Sequence, residues 1–167
     1  ISREKGLGTI EIISTLPIDD RDIVVGKYLS AVALIAIALL TTSLHFITLS
    51  SFGNSIDYGA VFTGYLGLLL VGSVYASVGM FSSAVTDNQV ISFIVGIAII
   101  FVFWLFDKVL IFMPDLLAGT IQYLSVEYHL SNISRGVIDT RNLIYFGSVI
   151  GFFLFLTTRL VESRRWS

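Results

Sequence analysis

Residues Tyr28–Ser50 read YLSAVALIAIALLTTSLHFITLS, a run of 23 residues without Asp, Glu, Lys or Arg. At a rise of about 1.5 Å per residue, a helix of this length reaches roughly 34 Å, which is enough to cross the ~30 Å hydrocarbon layer of a bilayer. Its eleven Leu, Ile, Val and Phe side chains each favour insertion by about 0.3–0.6 kcal/mol. The run therefore predicts a transmembrane helix.

Three further uncharged runs follow the first, at Ala60–Ser83, Val90–Phe106 and Leu143–Thr158. The last two are shorter than the bilayer core is thick, so we expect flanking residues to complete each crossing, with Trp104 and Tyr145 near the interfaces. Only 13% of the residues are charged, which makes a soluble protein with buried helices a poor alternative. The sequence predicts an all-α polytopic membrane helix bundle, with membrane helices over residues 28–50, 60–83, 90–106 and 143–161.

The distribution of Lys and Arg predicts the orientation in the membrane. With four crossings, both ends of the chain lie on one side, together with the loop between the second and third spans. That side carries seven Lys and Arg residues, and the opposite side carries three. Because basic segments tend to stay in the cytoplasm, we expect both ends there, in a prokaryotic plasma (inner) membrane. The seven are Arg3, Lys5, Arg21, Lys27, Arg159, Arg164 and Arg165, and the three are Lys108, Arg135 and Arg141.

Several activities are disfavoured by what the sequence lacks. A net charge of −2 provides no basic surface for nucleic acid, and the absence of cysteine excludes disulfides, thiolate metal sites and cysteine nucleophiles. The sequence contains no GxSxG or HExxH motif, no acidic pair within a span and no GxxxxGK(S/T) phosphate loop. We therefore expect no catalytic residues, no metal and no directly bound cofactor. Any energy from ATP has to come through a partner.

The first 27 residues form a charged segment without a signal-peptide pattern. Within it, Thr9–Leu16 (TIEIISTL) predicts a short apolar helix that ends at Pro17, and Asp19 can cap the helix that enters the membrane. Such a short helix either anchors to lipid or docks on a soluble partner. Helices that anchor to lipid usually carry Lys and Arg. The stretch Thr9–Leu16 carries neither and includes Glu11, so docking on a partner is favoured. Because the chain opens with Ile1 rather than Met, we expect a fragment that lacks N-terminal membrane helices.

Residues 107–142 connect the third and fourth spans and are too many for a simple turn. Apolar side chains recur within this outer segment at helical spacing, which predicts an amphipathic helix. The spacing fits a helix that rests on the membrane surface as well as one that re-enters the membrane. The residues at this spacing are Leu116, Leu117, Ile121, Leu124 and Tyr128.

Two histidines and one glycosylation pattern invite functional interpretations. His129 stands alone in the outer segment, and His45 lies in the first span without a second histidine or an acid nearby in sequence, so a metal pair has no support. We interpret His45 as a hydrogen-bonding partner of a neighbouring helix. Asn132-Ile133-Ser134 matches the glycosylation acceptor pattern, which we interpret as accidental.

Small residues recur three or four positions apart in two of the spans. Such faces allow two helices to approach closely. They serve packing inside one subunit or pairing between two subunits, and the sequence does not distinguish these uses. The residues are Gly72, Ala76, Gly79 and Ser83 in the second span and Gly147 and Gly151 in the fourth.

Several polar stretches together resemble a known family. Four of them, Arg3–Lys5, Gly8–Glu11, Thr15–Ile18 and Gly26–Lys27, are similar to the cytoplasmic coupling segment of type-2 ATP-binding-cassette (ABC) transporter permeases. Likeness to the gliding-motility-associated branch of that family is carried by Thr86–Gln89 (TDNQ), Tyr123–Ser125 with His129, Arg135–Asp139 (RGVID) and Glu162–Trp166 (ESRRW). Each motif is short, but their order and spacing cover nearly the whole chain.

The resemblance implies that residues 1–167 form one permease domain and hold the last four helices of a six-helix membrane domain. Residues 1–27 would be the coupling segment, 107–142 the outer segment and 162–167 a cytoplasmic tail. In such permeases the coupling segment docks on a separate ABC ATPase, two permease subunits assemble with two ATPases as a homo- or heterodimer, and the outer segment closes the exit of the path. The residues at or near the ATPase contact would be Thr9, Glu11, Leu16 and Pro17.

Three functions are consistent with these observations. The first, which the resemblance favours, is the permease subunit of an ABC exporter. The second is a self-sufficient transporter or channel, which would need ionisable groups at mid-membrane depth, where these spans offer only His45. The third is a membrane component of a gliding-motility or envelope machine driven by an ATPase. No polar cluster in the spans identifies a substrate.

Overall fold

The computed structural model describes residues 1–7, 19–52, 57–109, 119 and 122–164. Within these ranges the chain contains no strand, and four helices are long and apolar enough to cross a membrane, so the predicted all-α membrane bundle is confirmed. The helices of these ranges are α1 (Ser2–Gly6), α2 (Asp20–Phe52), α3 (Tyr58–Val85), α4 (Gln89–Val109), α5 (Val126–Ser134) and α6 (Thr140–Arg164).

Helices α2 and α6 extend beyond the uncharged runs that predicted them. Helix α2 already begins at Asp20, because the charged residues before Tyr28 continue the helical backbone and the acids of the first turn lie at its positive end. Helix α6 begins at Thr140 and continues to Arg164. The charged first turn of α2 and the charged last turns of α6 lie at the same end of the bundle, where Arg21 reaches Glu162.

Short polar side chains fix where three of the helices begin. The Asp57 carboxylate accepts hydrogen bonds from the backbone N–H of Gly59 at 2.9 Å and of Ala60 at 3.2 Å, and so caps α3. Asn88 caps α4 in the same way, since its Oδ1 accepts from the Val90 N–H at 2.8 Å. Ser125 Oγ accepts from the Tyr128 N–H at 3.2 Å and caps α5. These caps satisfy N–H groups that the helix itself leaves without acceptors.

Helix α3 lies at the centre and packs against each of the other described helices. Its buried face is built from small and β-branched residues, and five buried side chains from three helices form one core cluster. The cluster places α5 and the first half of α6 against the middle of α3. Its members are Val71 and Val74 of α3, Val126 and Ile133 of α5, and Phe146 of α6.

Two glycines of α3 lie where a neighbouring helix approaches its backbone. A Cβ at Gly67 would lie 2.8 Å from Leu130 Cδ1 of α5, and a Cβ at Gly72 would lie 2.9 Å from Ile35 Cγ2 of α2. Side chains at these positions would force the neighbours apart, so glycine permits the observed packing.

The described part of the outer segment departs from the predicted amphipathic helix. The described part of the helical pattern is interrupted at residues 123–125, because Ser125 begins α5 as its cap and Leu124 lies in the preceding turn. Tyr128 lies on α5, whereas Leu124 is about half exposed in that turn. A continuous helix through both positions is therefore wrong. Leu116, Leu117 and Ile121 lie outside the described residues.

The surfaces of the long helices are largely apolar, and many of their hydroxyl groups donate hydrogen bonds within the same helix. Leu34 on α2, Phe93 on α4 and Ile144 on α6 are each more than half exposed. The buried hydroxyl of Ser77 donates to Val74 O at 2.7 Å, and that of Thr157 donates to Phe153 O at 2.7 Å. Apolar exteriors and internally satisfied polar groups are what a hydrocarbon environment requires.

Candidate functional site

Both ends of the bundle carry polar groups. We call one the α1 end, formed by α1, the first turns of α2, the α3–α4 turn and the last turns of α6. The α5 end is opposite and is formed by α5 with the end of α4 and the start of α6. Helix α1 and the start of α2, which precede and follow residues 8–18 of the predicted coupling segment, both lie at the α1 end.

At the α1 end, α1 is attached to two of the long helices. Glu4 of α1 forms an ion pair with Lys27 of α2. The backbone N–H of Ser2, which is buried, donates a hydrogen bond of 2.8 Å to Ser83 Oγ of α3. These contacts hold α1 across the start of α2 and the end of α3.

A second contact at the same end joins the first turns of α2 to the last turns of α6. Arg21 Nε lies 3.6 Å from Glu162 Oε1, and Arg159 NH1 lies 3.4 Å from Glu162 Oε2. Both arginines are well exposed, so each pair contributes at most about 1 kcal/mol to stability. The main effect of the contact is to place the two helix ends side by side.

The α3–α4 turn completes the α1 end and contains the TDNQ motif. Thr86 Oγ1 accepts from the Asn88 N–H at 3.2 Å, and Asn88 caps α4. The turn lies next to α1, since a Cβ at Gly6 would lie 3.4 Å from the carbonyl oxygen of Asp87. The motif thus shapes a tight turn beside α1.

A groove of about 390 Å³ lies between α1, α3 and α4 at this end. Gly79 and Gly96 form part of its wall, and Ser82 Oγ, which donates to Gly79 O at 3.0 Å, lies between them. The groove offers hydroxyl and amide groups to a polar ligand. Its polar side chains are Ser2, Ser82, Ser83, Gln89 and Ser92.

At the α5 end, His129 is buried and connects three parts of the chain. Its Nδ1 lies 2.7 Å from Asn142 Oδ1 of α6, and its Nε2 lies 3.1 Å from the Tyr123 carbonyl oxygen. Its ring stacks on that of Tyr145 with centroids 4.0 Å apart, and the Tyr145 hydroxyl donates to Leu124 O at 2.7 Å. The imidazole therefore attaches the start of α5 to the start of α6.

The hydrogen bonds of this cluster determine how Asn142 is oriented. Asn142 is buried, and its Nδ2 is a buried atom without a hydrogen-bond partner. A neutral imidazole carries one N–H and cannot donate to both Asn142 Oδ1 and Tyr123 O. Reversal of the amide lets Nδ2 donate to His129 Nδ1 while the Nε2–H donates to Tyr123 O. This arrangement satisfies both ring nitrogens.

Helix α4 is tied to α5 at the same end. Lys108 Nζ lies 3.4 Å from Glu127 Oε2 and 5.6 Å from the centre of the Trp104 ring. Both charged side chains are about half exposed, so the pair is weak. The His129 cluster is therefore the stronger of these two attachments of α5 at this end.

A family model described as "ABC-2 family transporter protein" matches residues 1–157. The chain belongs to the ABC-2 transporter family. Neither the search of curated proteins nor that of solved structures found a match. An ABC-2 permease is a multi-pass membrane component of transport and is not itself the ATPase, and membership implies association with an ABC ATPase.

The predicted ATPase-contact residues of this ABC-2 permease fall outside the described residues. Thr9, Glu11, Leu16 and Pro17 lie within the stretch 8–18, and their contact role stays a prediction. What the structure shows is the attachment of the stretch at either side, through α1 and α2.

The predicted helix-packing residues lie in different surroundings. Gly72 lies against Ile35 of α2, and Ala76 is half-buried. A Cβ at Gly79, Gly147 or Gly151 would meet no described atom within 4 Å. The pairing role of the last two glycines stays a prediction.

Three side-chain contacts at the α5 and α1 ends were not predicted from the sequence. Asn142 and Tyr145 contact His129 from α6. The only sequence signal for Asn142 was its position as a polar residue directly before the apolar run Leu143–Thr158. The Arg21 to Glu162 contact joins distant parts of the chain and has no local signal. His45 is exposed on α2, and no cluster of three metal-ligating side chains occurs among the described residues.

Proposed function

We propose that this ABC-2 permease is the membrane subunit of an exporter in a prokaryotic plasma membrane. It would use ATP hydrolysis by a separate ATPase to move a substrate outward. The α1 end would face the cytoplasm and contact the ATPase through Thr9, Glu11, Leu16 and Pro17. ATP would be bound by the partner and not by this chain.

The observation that supports this proposal is the attachment to the bundle of the two helices that flank residues 8–18, the part of the predicted coupling segment that holds the ATPase-contact residues. On one side of the segment, Glu4 pairs with Lys27 and Ser2 bonds to Ser83. On the other side, Arg21 of α2 meets Glu162 of α6. A displacement of residues 8–18 by an ATPase would act directly on α2, which follows this stretch. It would act on α3 through its contact with α1, and on α6 through its contact with α2.

The resemblance adds three features to the proposal. An elbow helix and two membrane helices would precede residue 1, so that residues 1–167 supply the last four helices of a six-helix domain. Two such domains would form a homo- or heterodimer with two ATPases. The outer segment around α5 would close the exit of the path, and the His129 cluster, which attaches α5 to α6, supports a defined closed position.

A second candidate function is a membrane component of a gliding-motility or envelope machine. It is favoured by the motifs shared with that branch, of which Thr86–Gln89 forms the turn beside α1. In that case the same ATPase-driven movement would do mechanical or assembly work. Recovery of a transported solute with the complex would contradict this second candidate.

Charge reversal of the Glu4–Lys27 pair tests transmission through α1. In the full-length permease reconstituted with its ATPase, Glu4→Lys or Lys27→Glu is expected to reduce permease-dependent stimulation of ATP hydrolysis while ATPase binding persists. The double reversal is expected to restore stimulation, because the pair is rebuilt. Glu127→Lys, at the α5 end, is the control and is expected to leave stimulation unchanged. Single reversals that stimulate like the unaltered protein would contradict the proposal.

A further inference from the structure

A groove of about 500 Å³ lies between α2 and α3, away from both polar ends described above. Its walls are Ala36–Phe46 of α2 and Tyr58–Leu69 of α3. Near one end, the rings of Phe46 and Tyr58 meet edge to face at 5.9 Å. Beyond the other end, Gly72 lies against Ile35. The two helices touch at both places, and the Thr42–Tyr65 hydrogen bond joins them between.

The length of the groove along the helix axes matches the thickness of one leaflet of a bilayer. From Ala36 to Phe46 a helix advances about 15 Å, and from Tyr58 to Leu69 about 17 Å. Half of a ~30 Å hydrocarbon layer is about 15 Å. Both walls belong to helices that are long and apolar enough to cross the membrane, and the groove lies in their halves nearest the α2–α3 connection. It therefore opens sideways into a single leaflet.

The lining of the groove suits a hydrocarbon chain. Its walls are mainly Leu, Val, Ala and Phe side chains. Ser43 Oγ donates to Leu40 O at 2.6 Å, and Thr42 Oγ1 beside the groove donates to the Tyr65 hydroxyl at 3.2 Å. With these hydroxyls engaged, a polar solute gains little there, whereas an apolar chain is accommodated without loss.

The mouth of the groove indicates which headgroup the ligand carries. Between Phe46 and Phe62, the sequence contains one charged residue, Asp57. Its exposed carboxylate caps α3 and directly precedes Tyr58 of the groove lining. A negative group at this position repels an anionic headgroup and tolerates a zwitterionic one.

We propose that the α2–α3 groove holds one acyl chain of a zwitterionic phospholipid from the leaflet on the α5 side. A chain in this groove is enclosed by two helices and exchanges more slowly than the lipids that line the outer faces. The site is independent of the ATPase and of any transported substrate. Its test therefore does not depend on the proposed function.

Native mass spectrometry of the full-length protein, purified in detergent and supplied with phosphatidylcholine, tests the site. We expect retention of phosphatidylcholine over phosphatidylglycerol. Ser43→Trp fills the groove and is expected to reduce retention several-fold. Leu44→Trp adds the same ring on the exposed face of the next residue, outside the lining, and is expected to leave retention unchanged. Equal retention by the two variants, or preference for phosphatidylglycerol, would overturn the proposal.

Photolabelling of the unaltered protein provides a second test that needs no folding of a variant. In nanodiscs containing phosphatidylcholine with a diazirine on its acyl chain, we expect label to concentrate on residues 36–46 and 58–69 rather than on exposed Leu34. Uniform labelling would contradict the site. In a separate measurement, a Ser43→Cys thiol that a bifunctional reagent links to another protein segment or to a second copy would also contradict the site, since the groove would then be filled by protein.

Discussion

The imidazole of His129 stacks on the phenol ring of Tyr145, with centroids 4.0 Å apart and ring planes at 19°. His129 is the fourth residue of α5, and Tyr145 lies in the second turn of α6. The contact is fastened on both sides, because His129 bonds to Asn142 and Tyr123 O while Tyr145 bonds to Leu124 O. Helix α5 is thus held in place by a buried polar cluster as well as by apolar packing.

His129→Phe tests that cluster. Phenylalanine keeps an aromatic ring against Tyr145 but leaves the buried Asn142 side chain without its partner, at a cost of about 1–3 kcal/mol, and removes the bond to the carbonyl of the exposed Tyr123. We expect a lower unfolding temperature in detergent and faster proteolysis within residues 107–142. Glu127→Gln, an exposed neighbour, serves as the control. A His129→Phe protein as stable as the control would show that the hydrogen bonds contribute nothing.

Close packing of α3 against α5 depends on Gly67. A valine there would meet Leu130 and Ile133, so we expect Gly67→Val to lower stability by about 1–3 kcal/mol. Gly64, one turn earlier on the same helix, has no described atom within 4 Å of its Cβ position, and Gly64→Val is expected to cost much less. Thermal unfolding in one detergent compares the two variants. Equal losses would mean that helix propensity, not packing, determines the effect.

Pairing of two permease copies through α6 is testable by cross-linking. Gly147 and Gly151 form a GxxxG pair on an open face of α6. If this face pairs two copies, Gly147→Cys is expected to form an inter-subunit disulfide on mild oxidation in membranes. Ile150→Cys, on the face that packs against the core cluster, is expected not to do so. Failure of Gly147→Cys to cross-link would leave α6 facing lipid or another helix of its own subunit.

The predicted topology places α5 outside the cell and the end of α6 inside. A cysteine at Asn132 is expected to react with an impermeant thiol reagent in intact cells. A cysteine at Ser163 is expected to react only after permeabilisation. The reverse pattern would overturn the orientation inferred from the distribution of Lys and Arg.

The four membrane helices could be predicted because each uncharged run carries its own signal. Membership of the ABC-2 family also agrees with the resemblance carried by the polar motifs. Helix α2 begins at Asp20, directly after the predicted cap residue Asp19. Helix α6 continues beyond its apolar run, since charged residues such as Arg159 extend it.

The contacts at the two ends could not be read from the sequence. His129 looked isolated because its partners, Asn142 and Tyr145, are brought to it by the packing of α6 on α5. Arg21 and Glu162 likewise meet only after the bundle forms. The break at Ser125 was missed because helical spacing of apolar residues outweighed a single capping residue in the prediction.

We propose above that residues 8–18 connect this permease to an ATPase. Purification of the full-length protein from native membranes, with mass identification of its soluble partner and an ATPase assay, tests it most directly. We predict that an ABC ATPase accompanies the unaltered protein and the Glu127→Lys control, and that Glu11→Lys inserts normally but loses the ATPase. Normal ATPase recovery with Glu11→Lys, or purification of the unaltered protein without any ATPase, would contradict the claim.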